Sequence, residues 1–568
     1  MWLSVAIVFA AIIALILKYI FTTPGPNPFA RDCREPLREI VPRKEKNKVL
    51  KQGFVASKVP ENLDAVVIAA ASAGSGYPLH WRPAGAQAFP LHADQMTNGQ
   101  LQWSRWIIRM TGWCWTPRKP QTYPIYSGRT RFPEELKKCF PGEEKAIDEY
   151  IRLSKKAGRG IWLLALLKLV PTPIAKFLVY TGLCRRLSFF FEMADRSLTE
   201  VVNGLTQNKD LRAVFTYIFG TYGNMPKDAS FSMHSLLVTH YLNGAWYPRG
   251  GATEIAYHMI PIIEKAGGAV LVRAPVNRIL FNSENEAIGV SVMKGQEEVH
   301  IRAPMVISDA GIFNTYQKLL PKELQAMPAI QKQLSLMKNG EGGLSVFVGL
   351  DGSKEELGLK ADNYWIFKEN NFDELVTDYM NGDREESAKN VPILFVASPS
   401  AKDPVWQQHN PGKSTVSLVS FANYEWFEEW KDGKVTNRSP EYKELKQTFI
   451  DSILEVVMDV FPKITRDKIE YVDAGTPITN THYIGAPKGE IYGADHGRER
   501  FSPELNSTIR PQTPLKNLYL TGQDVFLCGF AGALAGALTC GSVLLKRNLH
   551  LDTIALAKRT KYFKQKGE

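Results

Sequence analysis

No CxxC pair occurs among the six cysteines, Cys33, Cys114, Cys139, Cys184, Cys528 and Cys540, so neither a zinc site nor a disulfide framework is signalled and free thiols are expected. Zinc-finger and helix-turn-helix spacings are missing, and no basic run is interleaved with aromatics. Nucleic acid is therefore not an expected partner, although the formal net charge is +11. That excess of Lys and Arg is read instead as a preference for an anionic membrane surface. At 568 residues the chain is too long for one compact core, and two or three units, interleaved in sequence, are expected.

Charge is also absent from Trp2 to Leu17, where Ser4 is the one polar residue. The run is shorter than the ~20 residues of a spanning helix and about as long as the longest secretory cores. Residues 1–18 thus read as a membrane anchor or a signal peptide, and both direct the chain to the endoplasmic reticulum membrane. Lys18, Arg31, Arg34, Arg38, Arg43 and Lys44 follow the run, which keeps the body cytosolic if the anchor is retained; cleavage reverses that. At the other end Lys564 and Lys566 resemble a dilysine retrieval signal, with a plain basic tail facing anionic lipid as the alternative. The sequons at Asn437 and Asn506 matter only in the lumen.

Residues 19–62 are Pro-rich and basic and read as a linker. A strand is expected at Asp64–Ile68. From Phe132 to about Val202 charged helical stretches alternate with a very apolar one, Ile161–Leu167 and Phe177–Tyr180. Pro171 and Pro173 interrupt it, so it is not one straight span. A helix pair dipping into lipid or lining a lipid-sized pocket is one reading, with Lys168, Lys176, Arg185 and Arg186 meeting headgroups; plain core packing is the other.

The stretch Tyr247-Pro248-Arg249-Gly250-Gly251 is a glycine turn opening a helix, in which Ile255, Met259, Ile262, Ile263 and Ala266 recur at helical spacing before Gly267 and Gly268 stop it. Strands are expected at Ala269–Val272 and Val276–Phe281, then an antiparallel meander through Ala287–Val292, Val299–Ile301 and Met305–Ile307, closed by Ser308-Asp309-Ala310-Gly311. Asn517 to Asp524 reads as a buried strand entering a glycine turn. The helix after it is built from Gly529, Ala531, Gly532, Ala533, Ala535, Gly536 and Ala537. Small side chains and unpaired N–H groups at such a helix start admit a flat or anionic ligand; close helix packing is the competing explanation.

At these residues the chain resembles a known family. YPRGGATEIA, MVISDAG and LYLTGQDVF followed by AGALAGAL look like the flavoproteins that include phytoene desaturases and carotenoid isomerases. FSMHSLLVTHY, YEWFEEW, SAKDP and TPITNTHYIGAPKGEIYGADH are similar to the retinol saturases. The resemblance implies a two-lobed α/β fold, with a discontinuous FAD-binding domain and a membrane-facing substrate domain. On that pattern residues 63–130 are an incomplete first part of the FAD domain, 247–320 its second and 471–548 its last; 131–246 and 321–470 form the substrate domain, and 549–568 is a basic tail. The resemblance places Val276 on the adenine side. It brings Gly250 and Gly251, and the turn at Gly522 and Asp524, to the cofactor, with the helix from Gly529 through Ala533 over the flavin ring. The implied reaction saturates the 13,14 double bond of all-trans-retinol with FAD as cofactor, and a nicotinamide, NAD or NADP, is left open. His234, His240, Tyr241 and Tyr247 are candidate proton donors.

One motif departs from the family. A G-x-G-x-x-G turn and a helix should follow Ile68. Gly74 and Gly76 supply G-x-G, but the third glycine position is Leu79, and Pro78, Pro83 and Pro90 break any helix there. Asp94 stands at the ribose-acid distance without a strand before it. Weakened or absent FAD binding is therefore expected, and a catalytically silent family member is the rival reading. A carotenoid desaturase or isomerase would change the substrate alone.

Overall fold

The computed structural model describes residues 25–69, 95–106, 109–114, 121–242 and 244–566, together with Ala11 and Ala14. The apolar amino-terminal run and the Gly74–Gly76 turn lie outside the described residues.

Among the described residues four sheets organise the α/β fold. The first is parallel and three-stranded: Val306–Asp309 lies between Val66–Ala69 and Leu518–Leu520, with Ala69 opposite Asp309 and Leu520 opposite Ser308. Its strands are far apart in sequence, and their carboxyl ends converge. Beside it Val276–Phe281, Ala287–Lys294 and Glu297–Arg302 form the expected antiparallel meander. Ile68, Ile279, Val290, Val306, Tyr316, Leu505 and Leu518 share one buried core there.

A second, larger core joins the helices of residues 131–242 to a seven-stranded sheet. Ile393–Ala397 is its central strand, Gly343–Asp351 pairs antiparallel with Lys413–Phe421, and Arg109–Cys114 pairs parallel with Asn363–Phe367. Trp103–Trp106 pairs with Ala245–Pro248, and Gln121–Tyr126 closes the edge of the large sheet.

Two expectations are corrected, the strand at Ala269–Val272 and the linker. Ala269–Val272 is not a strand; among the described residues it makes one bridge, Val272 to Gly53, because Arg273 turns into the left-handed region at φ 57° and ends pairing. The region read as a linker is docked from Gly25 onward. Phe29 is buried with Leu538, Leu549 and Leu556, and Arg43–Leu50 is a helix whose Lys46 is 4% exposed and ion-paired to buried Glu254. The tail is the helix Leu549–Lys566.

The apolar stretch after Gly160 is two helices, Trp162–Leu169 and Thr172–Tyr180, separated at Pro171. Leu163, Leu164, Leu167 and Leu178 pack into the large core, so core packing accounts for the inner face. Lys168 does not reach headgroups: it is fully buried and donates to the Ile509 carbonyl at 2.8 Å. Among the described residues no single helix is long and apolar enough to cross a membrane.

Candidate functional site

Parallel strands put their unpaired ends and following turns at one edge, which makes the carboxyl edge of such a sheet the usual ligand crevice. Here that edge holds Asp309 and the turn Thr521–Asp524, and a cavity of ≈ 60 Å³ opens between them, lined also by Gly311, Asn314, Ile484–Pro487, Glu490 and Gly493. Asp524 is the fastener. Its carboxylate accepts from the backbone N–H of Ile312 at 2.9 Å and of Ala494 at 3.0 Å, joining three distant segments at one point.

Gly522 has φ 85°, and a Cβ there would lie 1.7 Å from Asp309 Oδ1; only glycine lets strand and turn come this close. The Asp309 carboxyl is held neutral far above its ordinary range. Burial pushes its pKa up to about 7, and the nearby Asp524 charge adds to the effect. Asp309 was not among the candidate site residues read from the sequence. Its signal was present, an acid at the end of a buried strand followed by glycine.

The helix Gly529–Leu544 starts beside this turn, and Gln523 Oε1 accepts from the Gly529 N–H at 3.0 Å. A Cβ at Gly532 would meet the Leu527 carbonyl, and one at Gly536 the Gly522 carbonyl at 2.3 Å. These two glycines serve close helix packing. Ala533 is half-buried and Ala537 exposed, so Gly529, Ala533 and Ala537 form an open line at four-residue spacing on the other face. Near the helix start Arg500 is 3% exposed. Its Nη2 donates to the Asp524 carbonyl, while Nε and Nη1 meet no acceptor among the described residues. Burial lowers its pKa to about 10, but the guanidinium stays charged. Unmet donors of a buried cation, next to a helix N-terminus and a crevice at strand ends, fit an electron-rich dinucleotide cofactor.

The remaining sequence candidates are distributed more widely. Gly250 donates to Asp403 Oδ1 at 3.1 Å and accepts from Lys46 at 3.1 Å, so the chain's own helix Arg43–Leu50 covers the Gly250–Gly251 turn. Val276 opens its strand opposite Val292. His234 is fully buried, with Nε2 at 2.8 Å from the Tyr150 hydroxyl and from the Phe215 carbonyl, and Nδ1 at 3.1 Å from the Tyr222 hydroxyl. Burial lowers its pKa to about 3, which leaves it neutral and structural. His240 is buried edge-on against Tyr241. Tyr247 lies opposite Ser104 in a two-stranded sheet, its phenol pKa raised by burial and then by Asp403. Tyr241 lines an apolar cavity, with Tyr126, Phe132, Tyr150, Tyr217 and Leu242.

Relatives similar in sequence match almost the whole chain. All-trans-retinol 13,14-reductase of Danio rerio is 64% identical over 98% of this chain and 98% of its own length. The chain belongs to the all-trans-retinol 13,14-reductase family. The alignment with this relative spans 602 positions, more than the chain contains, so this family member lacks positions that the Danio rerio reductase has. A second relative from Danio rerio, 34% identical over 92% of both chains, is an inactive all-trans-retinol 13,14-reductase. Among solved structures, cyclohexylamine oxidase from Brevibacterium oxydans is 12% identical with a TM-score of 0.48, covering 87% of this chain and 93% of that one. No family model matches the chain.

Proposed function

We propose that the protein is an FAD-dependent all-trans-retinol 13,14-reductase of the endoplasmic reticulum membrane. The observation that carries the reading is the 64% identity along 98% of both chains to a reductase of that name. Bound FAD, once reduced, would supply a hydride to one carbon of the double bond.

The chain's own groups have the remaining tasks. Asp524 fixes the cofactor turn by holding two backbone amides. Asp309, which keeps its proton up to about pH 7, would repel a bound anionic group less than an ordinary carboxylate, and Arg500 offers two unmet donors to an electron-rich group. Tyr126, Phe132, Tyr217 and Tyr241 line an apolar cavity of ≈ 20 Å³, which would have to widen to keep a polyene out of water. A proton must reach the second alkene carbon, and Tyr241 is our donor, since it faces the apolar cavity and its ring can approach a hydrocarbon.

One observation favours a second reading, a silent family member. The G-x-G at Gly74 and Gly76 lacks its third glycine and is followed by three prolines. The test is product analysis of the detergent-solubilised chain, supplied with FAD, a reductant and all-trans-retinol. We expect a dihydroretinol two mass units heavier than substrate. Unchanged retinol, from protein that has taken up flavin, contradicts the reading.

A further inference from the structure

From Lys155 to Phe191 the sequence contains Lys155, Lys156, Arg159, Lys168, Lys176, Arg185 and Arg186 and not one Asp or Glu. A soluble surface normally mixes both signs. Two of these cations are used internally, Lys168 in the core and Arg185 with Asp195 and Glu504. Lys156, Arg159, Lys176 and Arg186 are exposed and form no ion pair among the described residues.

The same stretch exposes large apolar side chains: Trp162 is 53%, Tyr180 92% and Leu187 51% exposed. Trp162 and Leu187 are brought near one another by the fold. Ser188 Oγ donates to the Gly160 carbonyl at 2.9 Å, which sets Trp162 next to Leu187, and Lys156 lies 3.9 Å over the Phe189 ring beside them. Tyr180 precedes the left-handed turn at Gly182 that leads into the short helix Leu183–Leu187. The helices involved have eight, nine and five residues. Each is too short to cross a bilayer but suited to lie on one. Trp and Tyr favour the water–lipid boundary, and unpaired cations favour anionic headgroups.

We propose that Trp162, Tyr180 and Leu187, ringed by Lys156, Arg159, Lys176 and Arg186, form the surface by which the folded body rests on a bilayer containing anionic lipid. The inference rests on the membrane placement proposed above and adds a defined contact face to it. It also gives the substrate a short path. Tyr150, in the wall of the apolar cavity, is nine positions along the helix Glu144–Arg159 from Arg159, or roughly 14 Å at the helical rise.

The test uses the full chain with Cys33, Cys114 and Cys139 changed to Ser and a nitroxide placed by Tyr180→Cys. It is reconstituted in phosphatidylcholine vesicles with or without phosphatidylserine. On phosphatidylserine vesicles the label should be reached by oxygen and shielded from a water-soluble nickel chelate, their ratio rising severalfold over the same label at Tyr471→Cys. Lys156→Glu/Lys176→Glu/Arg186→Glu should abolish the rise. A label at Tyr180 that stays open to nickel on these vesicles overturns the proposal, as does equal shielding on vesicles of phosphatidylcholine alone. Leu187→Cys provides a second label site should Tyr180→Cys not fold. Because the readout is depth and not turnover, its failure is distinct from a failure of retinol reduction.

Discussion

Asp309 shows how much of the site depends on single groups. Its carboxyl is neutral in the fold up to about pH 7 but ionised in the unfolded chain above ~4. The unfolded state therefore binds fewer protons in this window, and the stability contributed by this group, complete below ~4, is lost as pH rises through 7. We expect Asp309→Asn to flatten that slope in flavin-free protein and to raise stability at pH 8, by at most ~4 kcal/mol, as read from denaturant unfolding at several pH values. An unchanged slope would put the titration elsewhere. Tyr241→Phe should lower turnover roughly 100-fold if its hydroxyl delivers the proton, with flavin content unchanged. His234→Asn should instead lower stability and leave the pH profile of turnover where it was. The sequence named Tyr241 and His234 alike, because both are chemically able donors; only burial separates them, and burial of one side chain among many is not written in local pattern.

The elements were more legible than the contacts between them. The strand before Gly522, the glycine turn and the small-residue helix were all readable, since a buried apolar run, a glycine and a helical composition are local signals. What two of the glycines are for was not. Gly536 faces the Gly522 carbonyl, and that pairing exists only after folding. Gly536→Ala should cost about 1–3 kcal/mol through overpacking and loosen the cofactor turn, seen as a lower melting temperature together with lost flavin. Ala537→Ser, on the exposed face, should change stability by less than ~0.5 kcal/mol. The strand expected at Ala269–Val272 failed for a similar reason: its side chains suit a strand, but Arg273 takes a left-handed backbone and the bridging partner among the described residues is Gly53. The apolar pair at Trp162–Tyr180 was legible as two helices from Pro171, whereas its division into a buried face and an exposed aromatic one required the packing.

Over the whole molecule two cores share a chain that passes between them repeatedly. The parallel sheet takes its three strands from residues 66–69, 306–309 and 518–520, so no contiguous fragment holds the crevice. Family motifs revealed the interleaving where periodicity could not. Asn506 illustrates the gap between motif and surface: it is fully buried, and its side chain donates to the Arg500 and Ser502 carbonyls, so the folded chain offers Asn437 alone of the two sequons, and a lumenal body would carry one glycan there. The central claim combines a completed flavin crevice with retinol as the electron acceptor. One measurement tests both: reduce the purified, FAD-supplemented chain anaerobically with dithionite, add all-trans-retinol, and follow oxidised-flavin absorbance. The account predicts that the absorbance returns with an equal amount of dihydroretinol formed. A chain that retains no flavin, or reduced flavin that stays reduced in the presence of retinol, would contradict it.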